Sequence, residues 1–213
     1  MSLVTYTLLA HLSSGAEIVA DSDFVDVRSV DPTIKIELRY ATENNFTRRA
    51  LYPVNTPPLV RFSVAQRLVV AQKYLKARGF GLKIWDAYRP RSAQTQLWEA
   101  TRNTDFVADP KEGVGSMHTR GAAVDVTLVD RSGKEVVMPT EFDNFTPAAV
   151  LTYLGSDPTI RSNLNVLQKA MAHAGFYGLR TEWWHFCAGD WANYSQVPGV
   201  RPVLTAVPEK SHR

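Results

Sequence analysis

The stretch Ser116-Met-His118-Thr-Arg-Gly121-Ala-Ala-Val-Asp125-Val-Thr-Leu-Val129 decides how this chain is read. Its second half, residues 122–129, is dominated by small and β-branched side chains, which suit a pleated strand. Side chains alternate along a strand, so Ala123, Asp125 and Thr127 share one face while Val124, Val126 and Leu128 share the other. The second set belongs to a core. Asp125 then stands on a face of small residues, where a carboxylate needs water, a cation or a metal to offset its desolvation. His118 lies just before the strand, and Gly121 permits a tight turn that folds the imidazole back over Asp125.

Working outward, Thr181-Glu-Trp-Trp-His-Phe186 reads as the closing strand. A catalytic zinc ordinarily takes three nitrogen or oxygen ligands and leaves a fourth position for water. His118, Asp125 and His185 complete that set, one zinc per chain, and Glu182 is left to take a proton from the bound water. In a regular strand, residues three apart point to opposite faces, so Glu182 and His185 can share a site only through a bulge or bend at Trp183-Trp184. Each element also has a plainer reading. A lone histidine before a strand is ordinarily surface or satisfied core, and Trp183 and Trp184 are ordinarily core. Taken together, with a glycine turn and a spare carboxylate, they favour a metal. His173, in the last turn of a helix, suits the helix dipole, and His11 and His212 lie near the termini. Cys187, between Phe186 and Ala188, reads as a small buried residue.

Upstream, residues 63–78 read as a helix with Ser63 as N-cap, Val64, Leu68, Ala71 and Leu75 on one face, and Gly79 as the stop. Phe80, Leu82 and Ile84 alternate as a strand into Asp86-Ala-Tyr-Arg89-Pro90, and a second helix runs from near Ser92 to about Arg102. A third helix covers about 161–174, with Leu164, Leu167, Met171 and Ala174 on one face. Residues 1–60 are irregular, with short strand-like runs at 24–27 and 34–38. The expected architecture is α+β: a single domain over 25–195, an antiparallel or mixed sheet with helices packed on it, an N-terminal arm (1–24) and a C-terminal tail (196–213).

The 213 residues are 45% hydrophobic and 21% charged, ordinary for a globular chain. The net charge of +3 is mild, and apart from Arg48-Arg49 and Arg89-Pro-Arg91 the basic residues are scattered, so no nucleic-acid partner is expected. No apolar run approaches the roughly 20 residues that span a bilayer. One cysteine excludes an intrachain disulfide framework and any CxxC metal site. Met1-Ser-Leu-Val-Thr-Tyr-Thr-Leu-Leu-Ala lacks the basic start of an intact signal peptide, and the compartment, cytoplasmic or periplasmic, is left open.

With these residues assembled, Ser116-x-His118-x-x-Gly121-x-Ala123-x-Asp125 followed by Glu182-Trp-Trp-His185 resembles the zinc peptidases of the D-alanyl-D-alanine peptidase group, whose fold is shared with lysostaphin-type enzymes and the hedgehog signalling domain. Asp86-Ala-Tyr-Arg89-Pro90, Glu182-Trp-Trp-His185-Phe186, Arg39-Tyr40-Ala-Thr-x-x-Asn45-Phe46 and Phe142-Asp143 resemble the dipeptidase branch associated with vancomycin resistance. The resemblance covers about residues 25–190. It implies a small dipeptide substrate, zinc on His118, Asp125 and His185, and Glu182 as general base and then general acid. It further implies Arg89 on the developing oxyanion, Asp143 on the free ammonium, and Ser116 and Tyr40 on the substrate carboxylate or backbone. Taken alone, Arg89 opens a helix after a strand, and Asp143 suits a helix N-cap for Thr146-Pro147. Two alternatives stand beside the dipeptidase: a D,D-carboxypeptidase or peptidoglycan endopeptidase of the same group, and a hedgehog-like module that keeps zinc without turnover.

Overall fold

A computed structural model describes residues 23–197; the expected arm and tail fall almost wholly outside the described residues. In chain order the elements are β1 (Phe24–Asp26), α1 (Val27–Val30), β2 (Lys35–Ile36), β3 (Leu59–Arg61), α2 (Phe62–Lys76), β4 (Gly81–Asp86), α3 (Arg91–Thr101), β5 (Ala123–Val129), α4 (Pro158–His173), β6 (Phe176–Leu179) and β7 (Glu182–Ala188). Five strands form one sheet in the order β2-β4-β5-β7-β6, and β1 and β3 form a separate two-stranded ribbon. Within the large sheet β2 runs parallel to β4 and the other pairs are antiparallel. The result is the mixed sheet of an α+β fold.

One face of the sheet carries the helices: α2 packs on α4 and on β4, and α4 on β5 and β6. The apolar stripe of α2, Val64, Leu68, Ala71 and Leu75, is fully buried, and Leu164, Leu167 and Met171 of α4 join the same core. Val124, Val126 and Leu128 of β5 belong to it, as alternation requires. The opposite face, with Asp125, is left for chemistry.

Some boundaries differ from expectation. Helix α2 begins at Phe62, with Arg61 rather than Ser63 in the N-cap position and no side-chain cap. Strand β3 feeds straight into the helix, and the Phe62 N–H is taken by the Asp23 carbonyl at 2.7 Å. Helix α4 starts earlier than expected, at Pro158, because the Asp157 carboxylate accepts the Thr159 and Ile160 N–H groups. Strand β6, four residues with an internal glycine, gave no periodic signal.

Two irregularities shape the site. Between β4 and β5, Ile84 pairs with Val126 but Asp86 pairs with Asp125, so Trp85 is an extra residue. This bulge leaves Ile84 opposite a core residue while bringing Asp86 beside Asp125. Between β6 and β7, Gly178 pairs with Phe186 but Leu179 with Glu182, so Trp183, Trp184 and His185 are looped into the ladder. That is the distortion expected at Trp183-Trp184.

The turn before β5 depends on Gly121. Its φ is +69°, and a Cβ built there would clash with the edge of the Phe24 ring at Cε1 and Cζ. Gly121→Ala should therefore lower folding stability by roughly 2 kcal/mol or more, from left-handed backbone strain and overpacking together. A shift in the urea midpoint measures this, and an unchanged midpoint would contradict the turn assignment.

Candidate metal centre and catalytic cavity

Cross-strand register sets the first row of the site. Asp86 of β4 lies opposite Asp125 of β5, and Asp125 lies opposite His185 of β7. His118 comes from a 3-10 turn, His118–Arg120, closed by Gly121. Its backbone carbonyl accepts the Arg89 and Gly121 N–H groups at 3.2 and 3.0 Å. Its Nδ1 lies 2.7 Å from the Ala87 carbonyl. That contact makes Nδ1 the protonated nitrogen and leaves Nε2 bare for a cation.

Three donor atoms then converge. His118 Nε2 is 3.1 Å from His185 Nδ1 and 3.3 Å from Asp125 Oδ1, and His185 Nδ1 is 3.0 Å from the same oxygen. Ligands held at zinc bond lengths of about 2.0–2.1 Å stand about 3.3 Å apart in a tetrahedron. The triangle already has nearly that size, and its donor set, two imidazoles and a carboxylate, suits zinc. All three residues are buried or nearly so. Burial by itself would raise the Asp125 carboxyl, but the His118 and His185 imidazoles beside it overcome that and hold it well below the usual carboxylate range.

The triangle opens on a cavity of about 310 Å³, the small end of ligand-sized pockets. Tyr40, Arg89, Ser116, His118, Asp125, Asp143, Glu182 and His185 all line it, so every residue singled out from the sequence reaches one place. Among the described residues, three buried carboxyl groups, Asp125, Asp143 and Glu182, line it together with the buried Arg89 guanidinium. Glu182 Oε1 has no hydrogen-bond partner among the described residues. Burial, with Asp125 and Asp143 adding to it against the opposing pull of His185 and Arg89, pushes the Glu182 carboxyl up to about 8. Such a carboxylate fits a site completed by a cation.

Arg89 is clamped. Its Nε and Nη2 donate to Asp86 Oδ2 at 2.9 and 2.8 Å, and Nη1 donates to Gln94 Oε1 at 2.9 Å. Tyr52 donates to the other Asp86 oxygen at 2.9 Å. Burial works against the Arg89 charge, yet Asp86 overcomes it and the guanidinium stays ionised. Its Nη2 is 3.6 Å from Asp125 Oδ2. Removing Asp86 would strand a buried charge at a cost of about 3–5 kcal/mol.

Asp143 sits at a positive φ of 56°. Its carboxylate accepts the Tyr40 hydroxyl at 3.0 Å and the Phe46 N–H at 3.2 Å. Burial pushes it up to about 7 against those two bonds, with Asp125 adding to the rise. It is not a helix cap: Thr146 fills that position for the 3-10 turn Pro147–Ala149. Ser116 Oγ accepts the His118 N–H at 3.2 Å, which leaves its own hydroxyl proton to donate. Trp183 is core, its indole N–H on Thr140, whereas Trp184 lines the cavity. Cys187 is buried, as read from the sequence, but it also lines the cavity, with Sγ 3.2 Å from His185 Nε2. Asp86 and Gln94 were missed as site residues. The Asp86-to-Arg89 spacing, three residues across a strand end, was the available signal.

The raised carboxyls predict a pH slope in the metal-free protein. A group whose pKa rises on folding favours the fold while protonated. The Glu182 contribution is therefore complete below about pH 4.5 and is lost as pH rises through about 8. The chelator-treated chain should lose stability between about pH 5 and 8, and Glu182→Gln should make the slope shallower, leaving the parts from Asp143 and from His185, which Cys187 and Asp125 raise against the effect of burial. An equally steep slope in the variant would contradict the assigned environment.

With the geometry in place, comparison with known proteins is direct. A family described as D-ala-D-ala dipeptidase matches residues 20–200. The D-alanyl-D-alanine dipeptidase of Escherichia coli is 34% identical over 173 residues, 81% of this chain and 88% of that protein. The Enterococcus faecalis enzyme of the same name is 29% identical over 172 residues, 72% of this chain and 85% of that one. A solved vancomycin-resistance D,D-dipeptidase in complex with a D-Ala-D-Ala phosphinate analogue superposes at a TM-score of 0.40 and 17% identity, covering 62% of this chain and 51% of that one, a likeness too distant to bear on the site. The cavity with its two imidazoles and three carboxylates is thus found in a chain that belongs to the D-Ala-D-Ala dipeptidase family of peptidases.

Proposed function

We propose that the chain hydrolyses D-alanyl-D-alanine to two molecules of D-alanine, using one zinc ion per chain and Glu182 as general base. The observation that carries this reading is the meeting of three zinc-spaced donor atoms and a buried, unpartnered glutamate oxygen in one small cavity. His118 through Nε2, Asp125 through a carboxylate oxygen and His185 through Nδ1 would hold the metal. Bound zinc supplies a Lewis acid that polarises the scissile carbonyl and raises the acidity of water.

The remaining steps belong to the protein. Glu182 takes a proton from the attacking water as the new C–O bond forms, then passes it to the leaving nitrogen as the C–N bond breaks. Arg89, locked by Asp86 and Gln94, presents a fixed charge to the oxyanion and needs no reorganisation when that charge develops. Asp143 receives the substrate ammonium, whose charge offsets the burial that raises its carboxyl. Tyr40 holds the Asp143 carboxylate in place and Ser116 offers a hydroxyl to the substrate carboxylate or backbone. An anionic end for the ammonium, in a cavity of about 310 Å³, favours a free dipeptide over a longer chain.

The test is hydrolysis of D-alanyl-D-alanine, its L,L isomer and a D-Ala-D-Ala-terminated pentapeptide. The expected result is cleavage of the D,D dipeptide alone, abolished by a chelator and restored by zinc. Glu182→Ala should keep its zinc and lose about 10²–10⁴-fold in kcat; undiminished turnover would overturn the assigned base. Release of terminal D-alanine from the pentapeptide would instead make this a D,D-carboxypeptidase. Zinc uptake without any hydrolysis would leave a binding module.

A further inference from the structure

Each candidate histidine ligand has a second ring nitrogen, and the structure treats the two differently. His118 is fixed in the usual way, by a backbone carbonyl on Nδ1. His185 sits in mid-strand with Nδ1 toward Asp125 and His118, so its outer nitrogen is Nε2. The partner of that nitrogen is a sulfur. Cys187, two residues on and therefore on the same face of β7, places Sγ 3.2 Å from His185 Nε2. Cys187 is buried, Tyr177 lies opposite it on β6, and the pair forms part of the cavity wall.

We infer that Cys187 is a positioning residue for the metal centre, holding His185 in the Nε2–H tautomer so that Nδ1 is presented bare to the cation. This rests on the metal reading above but not on the dipeptide substrate. A neutral imidazole carries one proton. If Nδ1 is to donate its lone pair, the proton must be on Nε2, and a buried N–H left without an acceptor costs about 1–3 kcal/mol. The Cys187 sulfur accepts it. It also limits rotation of the ring, which in a strand bent at Trp183-Trp184 has no regular ladder on the β6 side to steady it. Alanine at this position would remove the acceptor; serine would restore one with a shorter reach.

The experiment is zinc affinity by competition with a chromophoric chelator, on full-length wild type, Cys187→Ala and Cys187→Ser. Wild type should bind one zinc per chain. Cys187→Ala should bind about 10–100-fold more weakly, with metal-free stability little changed, and Cys187→Ser should recover most of the affinity. Equal affinity in wild type and Cys187→Ala would overturn the positioning role while leaving the metal site intact. Equal losses in both variants would overturn it too, since they would point to packing or to direct ligation by sulfur. A wild type that takes up no zinc would overturn the metal reading itself. Independently of how the variants fold, zinc-loaded wild type labelled with ¹⁵N-histidine should show a slowly exchanging His185 Nε2–H resonance, and its absence would count against the inference.

Discussion

Two imidazole nitrogens and a carboxylate oxygen lie within 3.0–3.3 Å of one another, in a place from which the sheet and its covering loops exclude most water. Each of these polar groups gives up hydration on burial, and contacts among the three, or a cation held between them, must offset that loss. The rest of the architecture is arranged to keep them together. Strand register places Asp86, Asp125 and His185 in one row across β4, β5 and β7, and the glycine-closed turn hangs His118 over that row. The helical face of the sheet supplies the hydrophobic stabilisation that offsets the cost of the polar face.

Around this centre the supports are rigid. The Asp86–Arg89 pair neutralises a carboxylate that would otherwise stand beside Asp125, and it fixes a guanidinium at the cavity wall. Behind it, Tyr40, Tyr52, Trp85, Phe142, Trp183 and Trp184 form a continuous set of tilted and edge-to-face rings, with centroids 5.4–6.0 Å apart. The Trp85 indole N–H is satisfied by Glu135 at 2.9 Å. Tyr40 and Trp184 thus reach the cavity from a packed floor, which limits how far either can move. Preorganisation of this kind matters for a reaction in which charge develops on the substrate oxygen.

The legible parts of the site were those with local signatures. β5 was readable because its β-branched residues alternate around Asp125, and α2 because Val64, Leu68, Ala71 and Leu75 recur at helical spacing. Even the distortion of β7 followed from chemistry, since Glu182 and His185 cannot share a cavity on a straight strand. Asp143 was different: it arrives from a long irregular connection, and its place beside Tyr40 and Phe46 depends on contacts about a hundred residues apart in sequence. The resemblance supplied that residue; periodicity could not. The role of Asp86 beside Asp125 is not legible in the sequence, because the Trp85 bulge that brings it there leaves no mark in the hydrophobic pattern. The short strand β6 and the Asp157 cap were missed for the same reason, being a few residues each. Cys187 reads as a small buried residue because its neighbours Phe186 and Ala188 are apolar, although alternation already places it on the His185 side.

The most direct measurement is X-ray absorption at the zinc edge on the metal-loaded protein. Two imidazole nitrogens with carboxylate and solvent oxygens predict a first shell of light scatterers only, at about 2.0–2.1 Å. A sulfur scatterer at about 2.3 Å, or a shell lacking imidazole outer-ring features, would contradict the assignment of His118, Asp125 and His185 as the metal centre.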